Sequence, residues 1–296
     1  MNNNLLFTIV IPTYNRGKLI IDTLETVLNQ SYRNFEIIVV DNASAEDCSY
    51  LKAKYPEIKL IKSDRNLGFA GGNNLGLQHA GGEYLLLLNS DTELTEDSIS
   101  LAYLEFQKQP NIGFLGCRMT YPDGRIQYTA RRFRSIRWEL LDLFRFIPIA
   151  HGYEASSREM LGKYFKHDLS LDCDWLNGAF LFFERRLLSH FPDGKLDDRF
   201  FMYAEDQLWC EQARESGLRN YFFADTTIVH VNSGSSSVRR QLQNRQVMFR
   251  HELAIVRRRK GVGLYYGLFV LLFGFKEYTR NAIKWMVYQL TGRLIR

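Results

Sequence analysis

Four consecutive leucines occupy residues 85–88, between a glycine pair and a polar triplet. A short apolar run with such borders is typical of a strand buried in a mostly parallel sheet, although periodicity alone also allows a short helix. The triplet, Asn89, Ser90 and Asp91, would follow the carboxyl end of that strand. Because open α/β sheets bind ligands at this end, Asp91 is a candidate metal- or phosphate-handling carboxylate, and a turn in which Asp91 caps the next helix is the alternative.

Strand and helix patterns alternate around the leucine run. This alternation predicts an α/β fold with a mostly parallel central sheet flanked by helices. The predicted strands are 7–11, 35–40, 58–61, 85–88, 112–119, 172–183, 219–223 and 228–231, with a hairpin at 125–133. The predicted helices are 18–30, a segment ending near residue 54, a helix that follows the glycine-rich stretch toward residue 80, 95–109, 135–149, 204–217 and 238–260.

Polar residues follow the first two predicted strands as well. Pro12, Thr13, Tyr14 and Asn15 form a turn that opens a helix, and Asp41 ends the second strand. A strand, a turn and a helix in this order are the first half of a nucleotide-binding unit. We therefore expect these side chains to meet at one edge of the sheet.

A glycine-rich stretch runs from residue 64 to residue 76. It matches neither Gly-x-Gly-x-x-Gly nor a P-loop, so the two common phosphate-binding fingerprints are not present in it. We interpret it as a loop and a helix start that let a ligand approach backbone amides. Glycines that serve turns and close helix packing are the alternative.

Three further sets of residues in the second half of the chain each allow two interpretations. Trp175, which precedes Asn177 and Gly178, predicts either a sugar-stacking platform or a packed strand start. Glu205 and Asp206 open a helix, where the backbone dipole favours an ionised carboxylate that serves as a cap or as a proton acceptor. His230 is either a core histidine or a metal ligand.

The charge is distributed unevenly. Residues 239–296 carry 13 Lys and Arg against two acidic residues, a net +11, so the rest carries −6 of the total +5. Such a tail predicts an anionic partner, either nucleic acid or a phospholipid surface. Residues 262–275 are almost wholly apolar, but too few to span a bilayer, so we expect a helix that lies in the interface or packs on the body.

No signal peptide is recognised at the amino end, and the four cysteines form no Cys-x-x-Cys pair, which favours a reducing, cytosolic location. We expect two domains, 1–237 and a basic, aromatic-rich helical extension at 238–296.

Six motifs, in order and spacing, resemble the family 2 inverting glycosyltransferases, and within them most closely the rhamnosyltransferase branch of bacterial surface polysaccharide synthesis. The resemblance covers residues 7–237. The motifs occupy residues 7–16, 38–44, 66–74, 88–92, 175–179 and 200–210.

The resemblance implies a GT-A fold, a nucleotide-diphosphate sugar donor and a divalent metal, Mg²⁺ or Mn²⁺. It implies that Asp91 and His230 bind the metal and that Asp206, with its neighbour Glu205, supplies the catalytic base. The residues it assigns to the nucleotide sugar are Pro12, Thr13, Tyr14, Asn15, Asp41, Asn66, Gly68, Asn73, Asn89 and Ser90. The residues it assigns to the acceptor side are Trp175, Asn177 and Gly178.

The chemistry requires such groups. A metal neutralises the charge that develops on the departing diphosphate, and a base takes the proton of the attacking hydroxyl, so a single displacement inverts the anomeric centre. One departure stands out: Asn89 occupies a position where many relatives carry Asp, which leaves the metal one charged ligand fewer.

The resemblance sets the expected substrates. We expect dTDP-rhamnose as donor, with a UDP-sugar as the alternative, and a polyprenyl-diphosphate-linked saccharide as acceptor. The basic tail would hold the protein on the inner face of the cytoplasmic membrane, with Phe269, Phe273 and Phe275 below the anionic headgroups.

Competing interpretations are a sugar-nucleotide-binding module without catalysis, a nucleotidylyltransferase, for which the Gly-rich triphosphate loop is missing, and DNA binding by the tail. We predict no nucleic-acid partner, and a homodimer stays open.

Overall fold

The computed structural model describes residues 6–144, 153–231 and 238–291. The chain forms two compact units, one of Met1–Arg132 with Ser156–Ser233 and one of Phe133–Ala155 with Gly234–Arg296. The domain boundary expected after residue 237 stays a prediction.

The strands and helices of the described residues follow the expected alternation. The strands are β1 (Phe7–Thr13), β2 (Phe35–Asp41), β3 (Lys59–Lys62), β4 (Tyr84–Leu88), β5 (Thr92–Glu93), β6 (Ile112–Thr120), β7 (Ile126–Gln127), β8 (Ala130–Arg131), β9 (Leu171–Cys173), β10 (Trp175–Leu176), β11 (Phe180–Glu184) and β12 (Arg219–His230). The helices are α1 (Gly17–Leu28), α2 (Ser49–Lys54), α3 (Gly68–Leu77), α4 (Ser98–Lys108), α5 (Ile136–Leu143), α6 (Tyr153–Met160), α7 (Glu205–Glu215), α8 (Val238–Lys260) and α9 (Leu264–Thr291).

The main sheet of the first unit has the strand order β3-β2-β1-β4-β11-β6-β12-β5. Strands β3, β2, β1 and β4 are parallel, β11 is antiparallel to both β4 and β6, and β12 is parallel to β6. All the long strands except β11 therefore point the same way. The carboxyl ends of β1, β2 and β4 lie side by side, as the polar residues after them require.

The leucine run is a strand buried on both faces, as predicted. Leu86 and Leu88 belong to the core on one side of the sheet, which includes residues of α1 and α4. Leu85 and Leu87 belong to the core on the other side, which includes residues of α3 and α7. Successive side chains of a strand alternate between its faces, so an unbroken apolar run is the pattern that two covered faces require.

The glycine-rich stretch differs from its prediction, because most of it is helix α3 rather than a loop. A Cβ at Gly76 would lie 2.4 Å from Cγ1 of Val10, and one at Gly72 would lie 3.2 Å from Cβ of Pro12. The glycines therefore allow the helix to approach β1, which is the packing alternative.

Two predicted strand boundaries were also wrong. Residues 172–183 form three short strands, because β10 pairs with β8 in a separate two-stranded sheet, whereas β9 and β11 belong to the main sheet. The two strands expected at 219–223 and 228–231 are one strand, β12, which carries an irregularity between Phe223 and Thr227.

The second unit contains α5, α8 and α9. Its core is formed by Val256, Phe269 and Phe273. Phe269 and Phe273 are buried, so the expectation that they reach headgroups was wrong for these two side chains, whereas Phe275 is exposed. Part of the predicted helix at 135–149 lies outside the described residues. In the described part of the chain, no helix is both long enough and apolar enough to cross a bilayer.

Candidate active site

The ends of β1 and β2 bring three of the predicted nucleotide residues together. Thr13 pairs with Asp41 across the two strands. Oδ1 of Asp41 accepts a hydrogen bond from the amide of Ser44 at 2.9 Å. Oδ1 of Asn15 accepts one from the amide of Ala45 at 2.8 Å, and the amide of Asn15 donates to Oγ of Ser44. These bonds hold the loop after β2 against the turn after β1.

Pro12 and Tyr14 flank Thr13 on this edge. Pro12 lies within β1, opposite Val40, and contacts α3 through the close approach of Gly72. The side chain of Tyr14 is 46% exposed, which leaves its ring available to a ligand.

The predicted donor residues Asn66 and Gly68 lie at the start of α3. Oδ1 of Asn66 accepts hydrogen bonds from the side chain of Asn42 at 3.1 Å and from the amide of Gly68 at 2.9 Å. Gly68 has φ +74°, and a Cβ there would lie 2.1 Å from the carbonyl oxygen of Phe201. Phe69 donates its amide to the same oxygen at 3.0 Å. Gly68 therefore joins the donor edge to the segment that precedes α7.

Asn73 is buried within α3. Its Nδ2 donates to the carbonyl of Phe69 at 3.0 Å, one turn earlier in the helix. Its Oδ1 is buried with no hydrogen-bond partner among the described residues. Buried polar atoms are nearly always paired, but Asn73 is fully buried, so a ligand could reach this oxygen only if neighbouring groups moved.

Asp91 and His230 meet because β5 pairs with β12 directly after the polar triplet. Thr92 lies opposite His230 in that pairing, and the carbonyl of Asp91 accepts the amide of Val231. Oδ1 of Asp91 lies 3.3 Å from Nε2 of His230. The helix-cap alternative for Asp91 does not hold, because β5 follows it and α4 begins only at Ser98.

Gln127 fixes which nitrogen of His230 faces Asp91. The Gln127 amide nitrogen donates to the carbonyls of His230 at 2.6 Å and Thr120 at 3.2 Å. Its oxygen must therefore accept from Nδ1 of His230, 2.9 Å away. That bond leaves Nε2 as the nitrogen turned toward Asp91, as in metal-binding histidines whose other nitrogen donates to a carbonyl.

Two further side chains adjoin this pair. Nδ2 of Asn89 lies 3.3 Å from Nε2 of His230. Nη1 of Arg16 lies 3.8 Å from Asp91. Burial alone would raise the pKa of Asp91, but its hydrogen bond and charge interaction with His230 and the charge of Arg16 outweigh it, so the pKa is lowered. Ser90, which stands between Asn89 and Asp91 in the chain, is buried.

The donor set suits a divalent cation only in part. The Asp91 carboxylate and the His230 imidazole, whose Oδ1 and Nε2 atoms lie 3.3 Å apart, are both ligand types that divalent cations bind. Among the described residues, no third His, Cys, Asp or Glu joins them in a metal-binding group. A metal here would take its remaining ligands from substrate oxygens and water.

Asp206 is held by two backbone amides. Oδ2 accepts from the amide of Gly178 at 2.9 Å, and Oδ1 accepts from the amide of Gln207 at 2.8 Å. Burial raises the pKa of Asp206, and these two bonds oppose the rise. Ala204 is the N-cap residue of α7 and makes no side-chain cap bond, so the bond from Gln207 to Asp206 pairs one of the first free amides of that helix.

The start of β11 links the base candidate Asp206 to the metal candidates that follow β4. The amide of Asn89 donates to the carbonyl of Ala179 at 3.0 Å, and Ala179 follows Gly178, whose amide binds Asp206. Oδ1 of Asn177 accepts from the amide of Ala179, which closes this turn. The structure therefore brings the residues after β4 and the start of α7 to one place.

Glu205 is buried beside Asp206. Burial is the main cause that raises its pKa, and the neighbouring Asp206 charge adds to it. Its Oε2 has no hydrogen-bond partner among the described residues. A buried carboxylate without a partner is costly to ionise, so Glu205 gives up its proton less readily than Asp206, which accepts bonds from two backbone amides.

The two residues before this pair have unusual backbone angles. Tyr203 has φ +70° and Ala204 has φ +74°. Residues with a Cβ avoid this left-handed region, and such strain is concentrated at functional sites. Burial raises the pKa of Tyr203, as does Glu205, and the charge of Arg16 opposes the rise. The charge of Arg16 therefore acts on both Asp91 and Tyr203.

Trp175 is part of a packed strand start. It pairs with Arg131 between β10 and β8, the Arg131 guanidinium lies 5.0 Å from its ring centroid, and its Nε1 donates to the carbonyl of Arg132. These contacts favour the packing interpretation.

Sequence reasoning missed Gln127 and gave Arg16 no role at the site. A glutamine in a predicted hairpin carries no signal of its own, because its partner His230 lies 103 positions further along the chain.

Residues 8–165 match the family model described as Glycosyl transferase family 2. The amylovoran biosynthesis glycosyltransferase AmsB of Erwinia amylovora is 36% identical over 99 residues, which are 31% of this chain and 33% of that protein. The chain spans between 19% and 36% of the length of three other curated relatives that it matches.

Two solved structures share the fold. The mannosyltransferase PcManGT from Pyrobaculum calidifontis, in complex with GDP-Man and Mn²⁺, has a TM-score of 0.58 at 19% identity and covers 97% of this chain and 76% of its own. S. aureus TarS 1-349 in complex with UDP has a TM-score of 0.56 at 19% identity and covers 86% of this chain and 66% of its own. These likenesses confirm the predicted GT-A fold.

Proposed function

Because the chain belongs to glycosyl transferase family 2, we propose that it transfers a sugar, with inversion, from a nucleotide-diphosphate donor to a saccharide acceptor in polysaccharide biosynthesis. One observation carries the proposal: Asp206 is fixed by Gly178 at 2.9 Å, and Gly178 adjoins the segment bonded to Asn89, two residues before Asp91. A base and a diphosphate-binding carboxylate at one sheet edge are what a single displacement needs.

Asp206 is the proposed base. Its oxygens keep a lone pair each beyond the bonds from Gly178 and Gln207, so one of them can accept the proton of an acceptor hydroxyl. As the acceptor oxygen bonds to the anomeric carbon, the bond from that carbon to the diphosphate oxygen breaks and the nucleoside diphosphate leaves. Glu205, kept protonated by burial, leaves Asp206 as the ionised member of the pair.

Asp91 and His230 are the residues that would hold a divalent metal, with Gln127 orienting the imidazole. A bound metal would neutralise charge on the departing diphosphate. Arg16, at 3.8 Å from Asp91, carries a positive charge at the same place and can contribute to that neutralisation. The Mn²⁺ in the PcManGT complex supports the metal without identifying the ion used here.

The donor edge is proposed to bind the nucleotide through Thr13, Asn15 and Asp41, with Asn66, Gly68 and Asn73 next to it. The UDP of the TarS complex and the GDP-Man of the PcManGT complex support a nucleotide-sugar donor. We propose dTDP-rhamnose as the sugar donor, and a UDP-sugar as the alternative. Asn177 and Gly178 adjoin Asp206 and would face the acceptor.

The acceptor is proposed to be a polyprenyl-diphosphate-linked saccharide at the inner face of the cytoplasmic membrane. The relative named for amylovoran biosynthesis supports an envelope polysaccharide product. The net charge of +11 in residues 239–296 supports an anionic surface as the place where the acceptor is met.

The test is a screen of dTDP-, UDP- and GDP-sugars with Mg²⁺ or Mn²⁺, read as nucleoside diphosphate release and as thermal stabilisation. With the donor found, Asp206→Asn should reduce turnover by about 10²- to 10⁴-fold while donor stabilisation persists, since only the proton acceptor is lost. Asp225→Asn, an exposed aspartate of β12, is the matched control and should retain activity. Turnover that survives Asp206→Asn, or the absence of stabilisation by every nucleotide sugar, would refute the proposal.

A further inference from the structure

Helix α9 exposes an apolar stripe along one face. The stripe consists of Leu264, Leu268, Leu271, Phe275, Tyr278, Trp285 and Met286. Their exposed fractions range from 49% for Leu268 to 82% for Leu264. At 100° per residue all seven fall within about a third of the helix circumference, over a length of about 33 Å. A contiguous exposed apolar patch of this size marks an interaction surface.

The charged residues of α9 lie off the stripe, and two of them, Lys276 and Glu277, face the second unit's own core. Nζ of Lys276 donates to Asp142 at 2.8 Å and contacts Glu139. Glu277 is buried and contacts Arg280. Burial also lowers the pKa of Lys284, the remaining charged residue of α9. The stripe side of α9 carries no charged residue among the described ones, and such a face suits an apolar medium.

A basic cluster precedes the stripe. Arg257, Arg258 and Lys260 are exposed at the end of α8, a few residues before Leu264. The acidic residues of α8 and α9 that the structure describes, Glu252 and Glu277, are not exposed, so the cluster has no exposed acidic neighbour on these helices. Cations beside an exposed apolar and aromatic face are the combination that anionic lipid headgroups and acyl chains match together.

A second copy of the chain fits this surface less well. Two stripes facing each other would bury the leucines, but they would bring no acidic group to either basic cluster. The ring edges of Tyr278 and Trp285 favour an environment with both apolar and polar parts, which the headgroup boundary provides.

We propose that the apolar stripe of α9 lies in the surface of an anionic lipid bilayer, with the basic cluster on the headgroups. This inference deepens the membrane location in the proposed function by naming the surface that contacts lipid. It involves no residue of the proposed catalytic site, so it can fail while the transferase activity stands.

The test is sedimentation of the full chain with vesicles of phosphatidylcholine, alone or with about a third phosphatidylglycerol. Leu271→Glu with Phe275→Glu should lower the partition coefficient about tenfold or more on the mixed vesicles, because both side chains leave the lipid and add charge. The matched control is Leu101→Glu with Leu104→Glu on α4, two leucines exposed by 37% and 40% in the first unit, which should bind as the parent does. Replacing Arg257, Arg258 and Lys260 by Gln should abolish the preference for phosphatidylglycerol.

Far-UV circular dichroism, melting temperature and donor stabilisation of each variant separate lost binding from lost folding. Unchanged sedimentation of a folded stripe variant, or a parent that does not bind the mixed vesicles, would overturn the inference. So would light scattering that shows a parent dimer and monomeric stripe variants with vesicle binding intact, because the stripe would then be a dimer interface.

Discussion

Replacing Glu205 by Gln should change how stability depends on pH. Burial, with a contribution from Asp206, raises the pKa of Glu205 from 4.5 to about 8. Between these values the native state keeps a proton that the unfolded chain releases, so the free energy of unfolding falls as pH rises. The glutamine side chain of the variant would carry no such proton, so the variant should gain stability relative to the parent across this interval.

The size of the gain follows from the width of the interval. From the ordinary pKa of 4.5 to about pH 7, 1.36 kcal/mol per pH unit gives an upper value of about 3 kcal/mol. Asp206 is close enough to share the proton, so we expect about 1 to 3 kcal/mol.

The assay is urea denaturation of both proteins in steps from about pH 5 to about pH 8. The difference in unfolding free energy should rise steadily in favour of Glu205→Gln. Glu215→Gln, an exposed glutamate at the end of the same helix, is the control and should show a small difference at every pH. A difference between Glu205→Gln and the parent that stays constant with pH would refute the view that Glu205 is protonated in the native state.

Gly68→Ala should destabilise the protein by about 2 to 4 kcal/mol in urea, because its Cβ would overlap the carbonyl of Phe201 at a positive φ. Gly124→Ala, also at positive φ but in open space, should cost only about 1 kcal/mol, and equal losses would exclude the clash as the cause. Gln127→Leu should weaken Mn²⁺ binding, measured by electron paramagnetic resonance, about 10- to 100-fold, because the imidazole of His230 loses its orienting acceptor. An unchanged Mn²⁺ affinity in a folded variant would contradict that role.

The sequence was sufficient for those elements whose pattern has one physical explanation. Four leucines in a row fit a strand between two covered faces, and the structure buries all four. Polar residues after neighbouring parallel strands must meet at one edge, which is why Thr13 and Asp41 could be expected to lie together.

The glycine-rich stretch was harder because glycine serves two purposes. It allows turns, and it also allows close contact between a helix and a strand, and local sequence does not distinguish them. Position 76 requires a glycine because the side chain of Val10 occupies the space that a Cβ would take. Val10 lies 66 positions earlier in the chain, so local sequence does not reveal this contact. The face of α9 that is buried was unpredictable for the same reason, since Phe269 and Phe275 are alike until α5 and α8 cover one of them.

The candidate site also has a part that the sequence predicts and a part that depends on long-range contacts. Motif residues such as His230 and Asp206 could be named from the sequence, whereas the contacts that orient them could not. Gln127 acts through its amide geometry, and Gly178 acts through a backbone amide that any residue possesses.

Tyr203 and Ala204 have left-handed backbone angles directly before Glu205 and Asp206. These angles cost conformational energy, and they also set the direction in which the chain enters α7. Glycine at position 204 would adopt this angle without strain. It would also give the backbone more conformational freedom directly before Glu205 and Asp206. A search for more heat-resistant variants would therefore favour a substitution that a search for faster ones rejects.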